Sequence, residues 1–130
     1  MFNTVLKEAG LSPQEVRLLR HQDKKACKPP YQLWRDEPRT FEIYQSHQLS
    51  IARNYFASPY WASFVGTSEN DTLFVGLYAV GDMNPLEHDS TLGHAAGLYD
   101  HYILTICDEL REFAGRLYID WVPGTKLGDN

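Results

Sequence analysis

The clearest pattern of hydrophobic and polar positions lies at the centre of the chain, in residues 60–66 (YWASFVG) and 73–80 (LFVGLYAV). Both segments are rich in aromatic and β-branched residues, and the polar residues 67–72 between them have turn chemistry. This pattern predicts a β-hairpin. Alternation along its first strand would place Trp61 and Ser63 on one face and Ala62 and Phe64 on the other.

Two helices are predicted before the hairpin. Ser12, Pro13 and Glu15 have the spacing of a capping box, which indicates a helix over Ser12–Asp23. A weaker helix over Asn3–Glu8 would end at the glycine that follows it.

The remaining segments give mixed signals. Thr40–Ser46 alternates apolar and polar residues and predicts a strand, as do Asp100–Ile106 and Arg116–Trp121. Residues 81–97 are rich in Gly, Pro, Asn and Asp without periodicity and predict a long loop. Residues 108–113 predict a short helix or a turn.

Together these elements predict a single α+β domain over residues 1–130, a small curved antiparallel sheet or β-barrel of five or six strands with an N-terminal helix. The 43% hydrophobic content is sufficient for a buried core. No secretory signal or membrane-length apolar run is present, so we expect a cytoplasmic protein with no membrane association. Cys27 and Cys107 should then be reduced.

Charge is distributed unevenly along the chain. The net charge of −5 argues against indiscriminate coating of nucleic acid. Residues 16–39, however, hold seven basic and three acidic residues, or +4, which leaves −9 for the rest. We expect Val16 and Leu19 to point inward, which would leave one solvent-facing surface to Arg17, Arg20, Lys24 and Lys25. A simply solvated helix and loop is the alternative.

Candidate binding residues follow from these patterns. Arg20 and His21 could grip a phosphate, or could simply pair with the C-terminal end of the predicted helix. Trp61 and Tyr44 are candidate flat walls for a nucleobase, with Gln45, Gln48 and Ser63 to read its edge. The alternative is that Trp61 is plain core. The complete set of predicted nucleic-acid contacts is Arg17, Arg20, His21, Lys24, Lys25, Arg35, Tyr44, Gln45, Gln48, Trp61 and Ser63.

Signals for catalysis and for metal are weak. His88, His94 and His101 match no compact ligand spacing, so no metal or other cofactor is expected. No nucleophile elbow and no phosphate-binding loop is present. Glu42 and Asp120 are candidate carboxylates, but nothing in the sequence brings them together, so we assign no catalytic residue.

Six segments in this order resemble the N-terminal domain of bacterial proteins that often continue into a GIY-YIG nuclease domain. They are residues 17–23 (RLLRHQD), 31–35 (YQLWR), 44–48 (YQSHQ), 60–65 (YWASFV), 73–78 (LFVGLY) and 115–121 (GRLYIDW). The resemblance spans Ala9–Lys126. The usual continuation after the last turn and the nuclease signature are absent, so the chain corresponds to the targeting domain alone. A PUA- or EVE-like barrel is one form that such a domain could take.

The resemblance implies a module that selects DNA, with or without a modified base, for an attached or partner nuclease of a restriction or defence system. One alternative is a small hydrolase or nuclease that acts on nucleic acid through His21, Glu42 or Asp120. Another is a protein-interaction domain that inhibits a nuclease by offering acidic surface.

Overall fold

The secondary structure comes from a computed structural model, which describes residues 2–21, 28–49, 58–67, 71–88 and 97–120. The helices are α1 (Phe2–Glu8), α2 (Pro30–Asp36) and α3 (Pro38–Ser46). The strands are β1 (Val16–His21), β2 (His47–Leu49), β3 (Tyr60–Gly66), β4 (Asp71–His88), β5 (Gly97–Ile106) and β6 (Tyr118–Asp120). Short 3₁₀ turns cover Pro13–Glu15 and Arg111–Phe113.

These strands form a single sheet that curls into a half-barrel. The order is β1–β3–β4–β5–β2, and β6 pairs with the first residues of β4. β1 runs parallel to β3, and the other described pairs are antiparallel. The predicted α+β fold, a curved and mainly antiparallel sheet with an N-terminal helix, is therefore confirmed.

The predicted hairpin is also confirmed, as β3 and β4, and it contains a β-bulge. Ser63 pairs with Gly76 but Phe64 pairs with Phe74, so Val75 is the extra residue on β4. The extra residue shifts the alternation of β4. As a result Tyr78 lies on the same face of the sheet as Trp61, with which it pairs.

The predicted N-terminal helix is present as α1 and ends in a Schellman motif. Gly10 has φ +82°, its N–H bonds the carbonyl of Lys7, and the Leu11 N–H bonds that of Leu6. A residue without Cβ adopts this left-handed conformation at little cost. Leu6 and Leu11 then pack together in the core below the helix.

Helices cover both faces of the sheet. One face packs under α1 and the 3₁₀ turn near residue 111, around Phe2, Phe64 and Phe74, whose rings meet at centroid distances of 5.2–5.5 Å. The other, concave face packs under α2 and α3, around Leu33 and Phe41. The two faces thus have separate cores with different chemistry.

The predicted helix over Ser12–Asp23 is wrong. The Ser-Pro-Gln-Glu sequence forms only the 3₁₀ turn, in which the Ser12 side chain caps no backbone N–H, and the chain then enters β1. Val16 and Leu18 alternate into the core under α1. Burial of this period-two pattern beside β3 outweighs the local helix signal.

The predicted strand over Thr40–Ser46 is also wrong, since these residues belong to α3. The predicted loop over residues 81–97 is wrong for residues 81–88, which continue β4 and pair with β5 as far as His88 and Gly97. The prediction for residues 108–113 holds, as a 3₁₀ turn. Trp121, Cys27 and His94 lie outside the described residues, and Cys107 has a free thiol.

Candidate functional site

A buried polar cluster lies between α3 and the concave face of the sheet. It consists of His21 at the end of β1, Ser63 in β3 and Gln45 in α3, and at most 4% of any of these residues is exposed. The hydroxyl of Ser63 lies 2.9 Å from His21 Nε2 and 2.5 Å from Gln45 Oε1, and His21 Nε2 also contacts Gln45 Oε1. Three predicted site residues therefore meet at one point.

The hydrogen-bond roles in this cluster follow from the orientation of the Gln45 amide. With its carbonyl oxygen toward Ser63 and His21, Ser63 donates its hydroxyl proton, and His21 donates in the tautomer that carries the proton on Nε2. Two donors thus converge on one carbonyl oxygen. The edge of the Phe41 ring packs near the imidazole, at a centroid distance of 5.8 Å and an interplanar angle of 87°.

A second polar link holds the same helix to the sheet. The Tyr78 hydroxyl donates to Glu42 Oε2 at 2.8 Å, and Ser46 Oγ donates to Glu42 Oε1 at 2.9 Å. Burial, and then the nearby negative charge of Glu42, raises the pKa of Tyr78 far above its ordinary value. Glu42, a candidate catalytic carboxylate, is thus engaged at both oxygens, by Tyr78 from the sheet and by Ser46 from within α3 itself.

Trp61 is a core residue. It is 1% exposed and packs with Tyr78 and Leu104 on the concave face. As the structure stands, it offers no open wall to a ligand. For Tyr44 and Gln48, the other proposed pocket residues, only the backbone positions in α3 and β2 are described. Tyr44 and Gln45 lie on α3 and not on the predicted strand.

The Ser63–His21 pair has the spacing of a nucleophile and its general base. Both residues are closed off from solvent, and the third member of the cluster is an amide rather than a carboxylate. An acyl or phosphoryl substrate cannot reach Ser63 in this arrangement. Asp120, the other candidate carboxylate, is described only as a backbone position in β6.

The basic segment does not form the single surface expected of a helix. Because β1 is a strand, Arg17 and Arg20 lie on opposite faces of the sheet. Arg20 Nε donates to Thr72 Oγ1 at 2.6 Å, its guanidinium lies against Gly66, and partial burial lowers its pKa. Lys24 and Lys25 lie outside the described residues.

The structure points instead to a cluster on α2 that sequence reasoning underused. The Tyr31 and Trp34 rings stack at a centroid distance of 6.1 Å and an interplanar angle of 29°, and the Arg35 guanidinium lies 5.5 Å from the centre of the Tyr31 ring. In the sequence, this cluster is indicated by the i, i+3 and i+4 spacing of the three residues, which places them on one face of a helix. We call Tyr31, Trp34 and Arg35 the α2 platform.

The α2 platform is partly solvated and carries charge. Both rings are half-buried and rest on the core under α2, and 54% of the Arg35 side chain is exposed. Arg35 pairs with Asp36 through bonds of 2.8 and 3.3 Å, and these contacts raise the pKa of Arg35. Such an arrangement can stack a flat ring and contact an anion beside it.

Comparison with known proteins identifies no relative: no family model, no curated protein and no solved structure matches this chain. Among the described residues, no group of three or more His, Cys, Asp or Glu side chains could hold a metal ion. No helix in the described ranges has the length and apolar character needed to cross a bilayer.

Proposed function

We propose that this domain is a DNA-binding module without catalytic activity of its own, and that it binds through the α2 platform. The observation that carries the proposal is the partly exposed stack of two aromatic rings and one arginine in the basic part of the chain. Aromatic rings that accept stacked bases, with cations to follow the backbone, form the common basis of single-strand binding.

The charge around the α2 platform favours binding of a polyanion with modest affinity. Arg39 is exposed at the start of α3, four residues after Arg35 and beyond the end of α2. Lys28 is paired with Glu37, just as Arg35 is paired with Asp36. A phosphate would have to compete with these carboxylates, so we expect binding that weakens steeply as salt is added.

DNA as the ligand and a nuclease as the partner are proposed on the resemblance of the six segments to the N-terminal domain of GIY-YIG nuclease proteins. Two of those segments, residues 17–23 and 31–35, include β1 and the α2 platform. The domain would select the DNA, and an attached or partner nuclease of a restriction system would cut it.

The chain offers a matched pair of variants to test the proposal. Arg35 and Arg111 are both exposed, at 54% and 64% of the side chain, and each pairs with a neighbouring aspartate. Arg35→Glu and Arg111→Glu therefore change net charge equally, but only the first alters the α2 platform. Fluorescence anisotropy with a labelled 12-nucleotide single strand would measure both dissociation constants.

We expect Arg35→Glu to weaken binding about tenfold and to reduce the salt slope by about one, while Arg111→Glu stays within about twofold of wild type. Trp34→Ala should cost about 1–3 kcal/mol of binding free energy, the usual value of one stacking ring. Equal losses in the two arginine variants would mean that only overall charge matters. Wild-type protein that binds no DNA at low salt would favour the protein-interaction alternative.

A further inference from the structure

His21 and Ser63 together form a site with two hydrogen-bond donors, and the acceptor in that site is the side chain of Gln45 from the same chain. His21 Nε2–H and Ser63 Oγ–H both point at Gln45 Oε1, and both donor residues are almost completely buried. A carboxamide carbonyl is chemically close to the keto oxygen of a nucleobase, since each belongs to an amide group and accepts in the plane of that group. Gln45 therefore occupies the position that a base oxygen would take.

The helix that delivers Gln45 is held to the sheet by hydrogen bonds as well as by apolar packing. Gln45 bonds Ser63 and Glu42 bonds Tyr78, while Phe41 is its one large buried apolar side chain among those described. The apolar Ile43 points outward and is 55% exposed. Because hydrogen bonds exchanged with water contribute little net stability, a helix fastened in this way separates from its sheet more easily than one with an apolar face.

The surface under α3 has the parts of a base pocket. Ser63 is two residues from Trp61 on the same face of β3, and Tyr78 pairs with Trp61 across the hairpin. Displacement of α3 would uncover flat aromatic walls beside two hydrogen-bond donors. An extruded base requires this combination.

We propose that the His21–Ser63 pair recognises the keto oxygen of a base turned out of DNA, and that Gln45 keeps the site closed until α3 moves aside. The inference rests on the proposed function, because the α2 platform, on the adjoining helix, would hold the strand from which the base is presented. The donors select guanine, thymine or cytosine over adenine, which has no keto oxygen.

The test uses DNA duplexes with one bulged guanine, one bulged adenine or one bulged abasic site. Guanine and adenine stack alike, so the ratio of their dissociation constants reports on the base edge, where guanine carries a keto oxygen and adenine an amino group. We expect wild type to prefer guanine about threefold to tenfold, the usual worth of one or two hydrogen bonds. Ser63→Ala should abolish this preference and leave binding to the abasic duplex unchanged. Thr72→Val is the matched control, since it removes an equally buried hydroxyl on the opposite face of the sheet.

A second variant tests the closing role of α3 without touching the donors. Tyr78→Phe removes the hydroxyl that holds Glu42, so α3 should open more often and guanine-bulge binding should tighten at least about twofold. This variant decides the question if Ser63→Ala does not fold. Equal binding of all three duplexes, unchanged in Tyr78→Phe, would overturn the inference and leave the proposed function standing. Binding to none of them would reject the proposed function itself.

Discussion

Replacing Trp61 separates a core role from a surface role for the largest fully buried side chain among the described residues. The residue is 1% exposed and packs against Tyr78 and Leu104 on the concave face. Trp61→Ala would leave a cavity that the strand backbone cannot close, so we expect a loss of about 3–5 kcal/mol in the free energy of unfolding. Stabilities of natural domains are about 5–15 kcal/mol, so this loss would be a large fraction of the total.

The matched control is Trp34→Ala, which removes the same ring from a half-buried position on α2. It should cost only about 1–2 kcal/mol, because water can fill the space that the ring leaves. Urea titrations followed by far-ultraviolet circular dichroism give both values. If the two variants lose equal stability, Trp61 is less tightly packed than its burial indicates, and the account of the concave face is wrong.

Two further predictions concern pH and glycine positions. The pKa of Tyr78 is raised in the folded state, whereas tyrosines of the unfolded chain ionise near pH 10, so the free energy of unfolding is kept below about pH 10 and falls above it. In urea titrations from pH 8 to 11, the stability of Tyr78→Phe should fall less steeply with pH than that of wild type. An equally steep fall would contradict the raised pKa. Gly115 and Gly10 have φ +77° and +82°, but an added Cβ would meet the Trp34 ring at 2.9 Å only at Gly115. Gly10→Ala should therefore lower the free energy of unfolding by about 1–2 kcal/mol, the strain of a left-handed residue with a Cβ, and Gly115→Ala should lower it clearly more. Equal melting temperatures of the two variants would show that the Trp34 ring moves aside freely.

The elements that sequence patterns predicted correctly are those in which local and tertiary preferences agree. The β3–β4 hairpin is aromatic and β-branched throughout, and α1 ends at a glycine in the conformation that glycine favours. The bulge at Val75 has no sequence signal of its own, because the register of pairing with β3 defines it.

The wrong helix over Ser12–Asp23 and the wrong strand over Thr40–Ser46 have opposite causes. β1 begins directly after a real turn signal, and its six residues become a strand only because β3 lies alongside them. α3 shows no clear helical period, because, among its described side chains, one of the two buried residues, Gln45, is polar while the other is Phe41, and its exposed position 43 is isoleucine. A helix with a polar inner face is invisible to a search for an apolar stripe.

The candidate site was predicted in part. Gln45, Ser63 and His21 were each singled out from sequence, but as an open pocket and a phosphate contact rather than one closed cluster. Sequence spacing cannot tell whether a helix covers a strand, so it could not show that these residues are buried. The α2 platform was within the quoted segment YQLWR, yet its stacking became visible only once the helix was in place.

The most direct test of the central claim is to follow the tryptophan indole N–H signals by nuclear magnetic resonance during titration with a single-stranded oligonucleotide. Trp34 and Trp61 are distinguished by the loss of one signal in Trp34→Phe and in Trp61→Phe. With an all-adenine strand, which has no keto oxygen for the site beside Trp61, binding on the α2 platform predicts a saturable shift of the Trp34 signal at DNA concentrations that leave Trp61 almost unmoved. A Trp34 signal that stays fixed while DNA is bound would contradict the account.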